Sequence, residues 1–294
     1  MSALPMGDSS DCHSDRLVAT SAAPLPAGVR TALHQLALPG LAWCEQLAAA
    51  RYQHWQRVGL FRKTLWKYGS AALIRSLQSH QVAVSSLCWA GGFTGSANFS
   101  YREAVEDGRQ AIAEAAELAA ETLIIAPGGR AGHTLRHARR TVIAGLQELA
   151  EAATAQQVRL AVLVAPPPPR ASWSLLHDVE DALELIGHVD CPQIGLACPL
   201  PCAASDLERW RCIAPRIWIM WSEVEATGGR TAAQAAGWNH SLSQLTHFGF
   251  SGVWELHAPA HGLSVPPRER KASCGALSEA LGLAQLQPPG QIVI

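Results

Sequence analysis

The chain has 294 residues, with 23 basic and 24 acidic side chains and a formal net charge of -1. This length suits one large α/β domain, because α/β barrels of about 250 residues fold as a single unit. The balanced charge provides no strong field for nucleic acid or for an anionic membrane surface, so we expect neither as a partner. The expected partner is a small molecule, with self-association or pairing with an active paralogue left open.

The eight cysteines are dispersed along the chain and do not have the density of a small disulfide-stabilised protein. We therefore expect reduced thiols and a cytoplasmic location. Residues 1–30 are rich in Ser, Ala and Pro and predict a loose N-terminal tail without the features of a signal peptide. No apolar run approaches the roughly 20 residues that cross a bilayer.

Short apolar runs then alternate with longer segments of helical period, as in repeated βα units around a parallel sheet. The predicted strands are 35–43, 59–65, 82–88, 122–126, 158–164, 193–198, 216–221 and 252–257. The predicted helices are 44–57, 70–80, 100–121, 134–156, 173–187, 205–213, 231–247 and 269–284. Eight such units favour a single (β/α)8 barrel over 31–285, with a C-terminal tail over 286–294. An open doubly wound sheet is the alternative, but no glycine-rich phosphate turn follows its first strand.

Two helices have clear start signals. Ser100 precedes the segment 100–121 as a cap, and Glu103 stands three residues on, as in a capping box. Thr134 has the same capping role before the apolar repeat of 134–156. The sequence therefore predicts these two helices from local signals alone.

The segment from Val84 to Thr94 resembles the third-strand region of the sugar phosphate isomerase/epimerase family, which has a xylose isomerase-like TIM barrel. Segments 59–62, 123–129 and 249–252 resemble other parts of that family in the same order, so the resemblance covers about residues 35–258. It implies a (β/α)8 TIM barrel of xylose isomerase-like type that binds a small, polar, sugar-like molecule at its C-terminal face.

Members of this family typically hold a divalent metal through side chains that follow strands five to eight. The positions implied for these ligands are Leu163 for a Glu, Pro199 and Cys202 for an Asp and a His, Trp221 for a His, and His257, or Glu255 after a two-residue slip, for the last Glu. The windows 158–169 and 193–204 contain no Asp, Glu or His. We therefore expect the usual metal site to be degenerate, with no metal and no other cofactor.

Glu255 and His257 are the candidate catalytic residues. They lie two positions apart on a predicted strand, so their side chains face the same side, which in a barrel can be the pocket. An imidazole beside a carboxylate can act as acid and base. The alternative is a hydrogen-bonded pair at the rim.

Four further residues are candidates for ligand binding, each with a structural alternative. Arg62 follows the second strand and can meet an anionic group, or it is a solvated surface charge. His133 ends a glycine-rich turn before a helix, where an anion can bind, or the turn is a simple loop. Trp89 and Trp221 stand at strand ends and can stack on a ligand, or they fill space near the lost metal.

The sequence therefore predicts an isomerase/epimerase-like barrel whose activity, if retained, does not depend on metal. The alternative is a non-catalytic pseudoenzyme that acts as a binding or scaffold subunit. A third alternative is a new metal site formed by His133, Cys198, Cys202 and His257.

Overall fold

The computed structural model describes residues 25–38, 40–96, 98–166, 173–201, 209–223 and 231–257. Eight parallel strands form a closed barrel in chain order, and the last strand pairs with the first. The strands are β1 Arg30–His34, β2 Arg57–Phe61, β3 Ala83–Gly91, β4 Thr122–Ala126, β5 Arg159–Leu163, β6 Ile194–Pro199, β7 Ile217–Glu223 and β8 Val253–His257. The predicted (β/α)8 barrel is confirmed.

Helices connect the strands on the outside of the barrel. They are α1 Trp43–Tyr52, α2 Arg62–Tyr68, α3 Ser70–His80, α4 Tyr101–Glu117, α5 Leu135–Ala155, α6 Val179–Gly187 and α7 Thr231–His247. Both predicted caps are confirmed, because the Ser100 and Thr134 side chains accept hydrogen bonds from the backbone N–H groups of Glu103 and His137. None of the helices within the described ranges is long and apolar enough to cross a membrane.

The predicted first strand, 35–43, is wrong. β1 ends at His34, and residues Gln35–Ala37 form a 3-10 turn that begins with the His34 side chain accepting from the Leu36 N–H. The apolar character of the predicted segment comes from Ala37 and Leu38, which are buried in the core without being in a strand. A short apolar run of this kind does not distinguish a buried strand from other buried backbone.

Other boundaries also differ. α2 begins at Arg62, inside the predicted strand 59–65. α6 begins at Val179 and not at 173, because Asp178 caps it and accepts from the N–H of Asp181. The predicted helix 205–213 lies partly outside the described residues, and the helix 269–284 with both tails lies mostly or wholly outside them.

The barrel interior holds a small apolar layer, separate from the larger core between strands and helices. This inner layer consists of Ala32, Cys88, Ile124, Ala161, Ala197, Ile219 and Val253. Because side chains alternate along a strand, the next inward positions toward the carboxyl ends lie two residues further on. On β5 to β8 these positions are Leu163, Pro199, Trp221 and Glu255, and they form the approach to the C-terminal face.

Candidate functional site

Glu255 and His257 form a hydrogen-bonded pair at the end of β8. His257 Nε2 lies 3.1 Å from Glu255 Oε2, and the other carboxylate oxygen accepts from Ser85 Oγ at 2.7 Å. Glu255 is only 1% exposed. Its burial favours the neutral acid, but the hydrogen bond from His257, the nearby histidines and the Ser85 hydroxyl outweigh this, so its pKa lies below the usual value.

This pairing fixes the tautomer of His257. An ionised Glu255 only accepts hydrogen bonds, so the His257 nitrogen that faces it, Nε2, carries the proton. Nδ1 is then the basic nitrogen of the ring. The pair therefore has the arrangement of a general base oriented by a buried carboxylate.

Two other rings hold the imidazole of His257 in place. The His34 ring lies 4.4 Å from it between centroids, and the Trp221 ring stacks on it at 5.6 Å with an interplanar angle of 10°. His257 is thus fixed by one hydrogen bond and two ring contacts, from β8, β1 and β7.

His34 belongs to this site, although no sequence signal singled it out. It is 1% exposed at the end of β1, with Nδ1 accepting from the Leu36 N–H at 3.1 Å and Nε2 3.5 Å from Cys88 Sγ. Burial, and then the charge of His257, lower its pKa from 6.5 to about 3, so it is neutral at physiological pH. The predicted strand 35–43 begins one residue after His34, so the sequence prediction does not place His34 on a strand.

An aromatic wall continues from this cluster toward the outside. The edge of Phe61 meets His34 at 5.1 Å, and Trp89 meets Phe61 at 5.9 Å. Trp89 is 54% exposed, so its ring is open to a ligand that approaches the mouth. The structure therefore brings Trp89 and Trp221 to the same end of the barrel as His257.

Arg62 directly follows Phe61, and its Nη1 donates to the carbonyl oxygen of Trp89 at 3.4 Å. It is 3% exposed, and its guanidinium contacts Asp107 at 2.8 Å and Glu114 at 2.7 Å. Its charge is therefore engaged inside the protein. The neighbouring Lys63 places its Nζ 4.9 Å from the Phe61 ring, nearer to the aromatic wall.

His133 lies apart from the pair on β8. It lines a groove of about 620 Å³ between α4 and α5, together with His137 and Arg140. The rings of His133 and His137 are 4.7 Å apart. His133 lies in the loop that follows β4, and no hydrogen bond or ring contact described in the structure joins it to Glu255 or His257.

The residues at the implied ligand positions do not fit a metal held in the manner of the family. Leu163 and Pro199 have no ligand atoms, the indole of Trp221 is only a donor, and Cys202 lies outside the described residues. Cys198 is fully buried in the core against the helices, so it cannot share an ion with His257 in the barrel.

Within the part of the chain that the structure describes, one group of ligand-type atoms does converge. Single atoms of His34, Glu255 and His257 lie within 4.8 Å of one another. However, both Glu255 oxygens accept hydrogen bonds, from Ser85 and His257, and the Leu36 N–H occupies Nδ1 of His34. An ion at this point would therefore have to displace hydrogen bonds that these atoms already form.

Comparisons with known proteins agree with the geometry of the barrel. Curated protein sequences give no match, but solved structures of similar fold include the IOLI protein with a zinc atom (14% identity, 86% of this chain and 98% of that one, TM-score 0.69). They also include D-psicose 3-epimerase from Clostridium cellulolyticum H10 (9% identity, 87% and 98%, TM-score 0.68) and D-allulose 3-epimerase from a Methylomonas species (13% identity, 89% and 98%, TM-score 0.65). The sequence profile of one family matches residues 41–202. The chain therefore belongs to the xylose isomerase-like TIM barrel family.

Proposed function

We propose that this protein is an isomerase/epimerase-like barrel that moves a proton next to the carbonyl of a small sugar-like molecule, with His257 as the base and without a divalent metal. One observation carries the proposal: His257 is held by Glu255, Trp221 and His34, and none of the residues that the structure describes forms a hydrogen bond to its basic Nδ1. The sugar epimerases among the structural neighbours support the substrate class.

The chemistry requires proton transfers only and no redox partner. Nδ1 of His257 removes the proton from the carbon beside the carbonyl, and the C–H electrons form a C=C bond while the carbonyl oxygen becomes an enediolate oxygen. For an isomer, the imidazolium of His257 returns the proton to the former carbonyl carbon, while the hydroxyl proton on the neighbouring carbon passes to the enediolate oxygen so that a new C=O bond forms. An epimer forms when the enediolate turns its other face to His257 before the proton returns. Glu255 does not reach the substrate in this scheme; it is a positioning residue that stabilises the protonated imidazole.

The aromatic rings near His257 suit such a substrate. Trp89 and Trp221 offer ring faces against which the C–H face of a sugar packs, and Lys63 lies beside Phe61 where an anionic substituent would be favoured. Arg62 is less suited to this binding role because two carboxylates already neutralise it.

A second candidate function is a non-catalytic binding or scaffold subunit. The observation that favours it is the presence of Leu163 and Pro199 at the positions where the family resemblance implies a Glu and an Asp. In that case the mouth would still bind a ligand, but no proton would be exchanged.

Proton exchange distinguishes the two functions. The chelator-treated protein is incubated in deuterium oxide with a panel of ketohexoses, ketopentoses and aldoses, and NMR measures deuterium at the carbon next to the carbonyl. We expect exchange that falls by about 10²–10⁴-fold in His257→Gln, which removes the base, and in Glu255→Gln, which removes the carboxylate that orients it.

The matched control is His188→Gln, which changes a largely exposed histidine outside the site and should leave exchange unchanged. Exchange that appears only after Mn²⁺ or Mg²⁺ is added would contradict the metal-independent mechanism. Saturable binding of a sugar without any exchange would contradict catalysis and support the binding subunit.

A further inference from the structure

His34 presents a buried N–H group with only a weak partner. Because Nδ1 accepts from the Leu36 N–H, the proton of the neutral ring is on Nε2. The nearest acceptor described for Nε2 is the sulfur of Cys88 at 3.5 Å. A thiol sulfur is a weak acceptor, so the hydrogen-bonding capacity of this N–H is largely unfulfilled in a buried position.

The fold provides dedicated space for this ring. A Cβ atom at position 59 would lie 2.3 Å from His34 Cδ2 and 3.0 Å from Ser86 Oγ. Gly59 on β2 is therefore required for the His34 imidazole to lie where it does.

The N–H group lies beside the proposed base. The rings of His34 and His257 are 4.4 Å apart, and Cys88, which Nε2 faces, belongs to the inner layer at the bottom of the barrel mouth. A hydrogen-bond donor and a base are thus adjacent on β1 and β8. Proton abstraction next to a carbonyl needs this combination, because negative charge develops on the carbonyl oxygen.

We propose that His34 is a second catalytic residue, whose Nε2–H donates to the substrate oxygen that becomes negative when His257 takes the proton. The substrate oxygen replaces the Cys88 sulfur as the acceptor. This inference rests on the proposed function and supplies the charge stabilisation that a divalent cation would otherwise provide.

A neutral donor is suited to this position. The pKa of His34, lowered to about 3 by burial and then by the charge of His257, keeps the ring uncharged next to a protonated His257. Two adjacent imidazolium ions would repel each other and oppose the proton transfer. A neutral imidazole N–H can polarise a carbonyl oxygen, and burial strengthens that hydrogen bond because water does not compete.

Two substitutions at His34 separate the donor from the rest of the ring. His34→Asn keeps a side-chain acceptor for the Leu36 N–H and loses the Nε2–H, whereas His34→Phe keeps a ring and loses both nitrogens. We expect deuterium exchange to fall by about 10²–10³-fold in kcat for both variants, with KM little changed. Gly59→Ala should reduce kcat as well, because its Cβ displaces the His34 ring.

A second measurement does not depend on turnover. In protein labelled with ¹⁵N-histidine, NMR should show the His34 proton on Nε2. Adding threonohydroxamate, a four-carbon mimic of an enediolate, to the metal-free protein should move the His34 Hε2 resonance downfield. His188→Gln serves as the control and should give the same shift as the unmodified protein.

The outcomes are distinct. Full exchange activity in His34→Asn would overturn the role of His34 and leave the proposed function intact. No exchange with any sugar, together with the downfield shift, would overturn the proposed function and support His34 as a ligand donor. A proton found on Nδ1, or no change at Hε2 on adding the hydroxamate, would overturn the inference.

Discussion

At the scale of single residues, two histidines carry their proton in different hydrogen-bonding environments, which their neighbours determine. His34 receives a backbone N–H on Nδ1 and is held neutral, whereas His257 donates from Nε2 to an ionised carboxylate and keeps Nδ1 as a base. Local hydrogen bonding, and not residue type, assigns the donor and the base. Ser85, which donates to Glu255, extends this control to a third strand.

The buried, neutral His34 makes stability depend on pH. Its pKa is 6.5 in the unfolded chain and about 3 in the folded protein, so the unfolded state binds more protons between these values. The stability is complete above pH 6.5 and is lost as the pH falls toward 3, by up to about 1.4 kcal/mol per pH unit. Urea unfolding at pH 7, 6 and 5 should therefore show a steeper loss for the wild type than for His34→Phe.

The titratable groups that face His34 are the same in the wild type and in His34→Phe, so they do not account for a difference between the two proteins. They are His257 and Glu255 on β8 and Cys88 on β3, and the pKa of the Cys88 thiol is raised by burial and then by the charge of Glu255. Glu255 has a pKa below its ordinary value, so it contributes to acid sensitivity only at lower pH. Parallel slopes for the two proteins above pH 5 would show that His34 is not held neutral.

At the scale of elements, local signals predicted the helices and strands better than the contacts between them. The apolar run Thr122–Ala126 and the caps Ser100 and Thr134 are confirmed because each depends on adjacent residues. The partners of Arg62, by contrast, are 45 and 52 residues away on α4. No local pattern distinguishes a buried ion pair of this kind from a ligand-binding arginine.

The ion pairs that Arg62 forms with Asp107 and Glu114, here called the Arg62 cluster, should hold the start of α2 against α4. Arg62→Met leaves Asp107 and Glu114 without their shared cation, and Glu114 is 11% exposed on its side chain. Breaking such a pair costs about 3–5 kcal/mol when fully buried, and we expect about 2–4 kcal/mol here because Asp107 is 26% exposed. Urea unfolding measures the change in the free energy of unfolding.

The matched control is Arg102→Met. Arg102 is exposed on α4, the helix that carries Asp107 and Glu114. This substitution should change the free energy of unfolding by no more than about 0.5 kcal/mol. Equal stability of the Arg62→Met and Arg102→Met proteins would indicate that the cluster does not hold α2. Adding Glu114→Gln to Arg62→Met should recover part of the loss, since it removes one of the unpaired charges.

At the scale of the whole molecule, closure of the barrel places distant positions side by side. Pro199 pairs with Trp221 and Trp221 with Glu255, while Leu163 pairs with Ala197 one step lower on β6. The family resemblance could indicate the positions implied for metal ligands, because the order and spacing of the strands are visible in the sequence. It could not indicate His34, whose position beside His257 depends on β1 and β8 meeting where the barrel closes.

This register can be tested by introducing metal ligands. The variant Leu163→Glu, Pro199→Asp, Trp221→His adds carboxylates and an imidazole on β5, β6 and β7 next to Glu255 and His257. We expect it to bind Mn²⁺, because these hard and borderline ligands then face one point of the barrel interior. Metal at about one hundred times its Kd raises the free energy of unfolding by about 2.7 kcal/mol, which appears as a higher Tm.

Each protein is compared with and without Mn²⁺, so any destabilisation by the substitutions themselves cancels. The control Leu163→Gln, Pro199→Asn, Trp221→Phe has similar side-chain sizes without the carboxylates and the imidazole, and its Tm should not respond to the metal. A folded ligand variant without a Mn²⁺-dependent shift would show that these side chains do not converge. A shift in the wild type would instead contradict the metal-independent function, since it would mean that His34, Glu255 and His257 bind the ion by themselves.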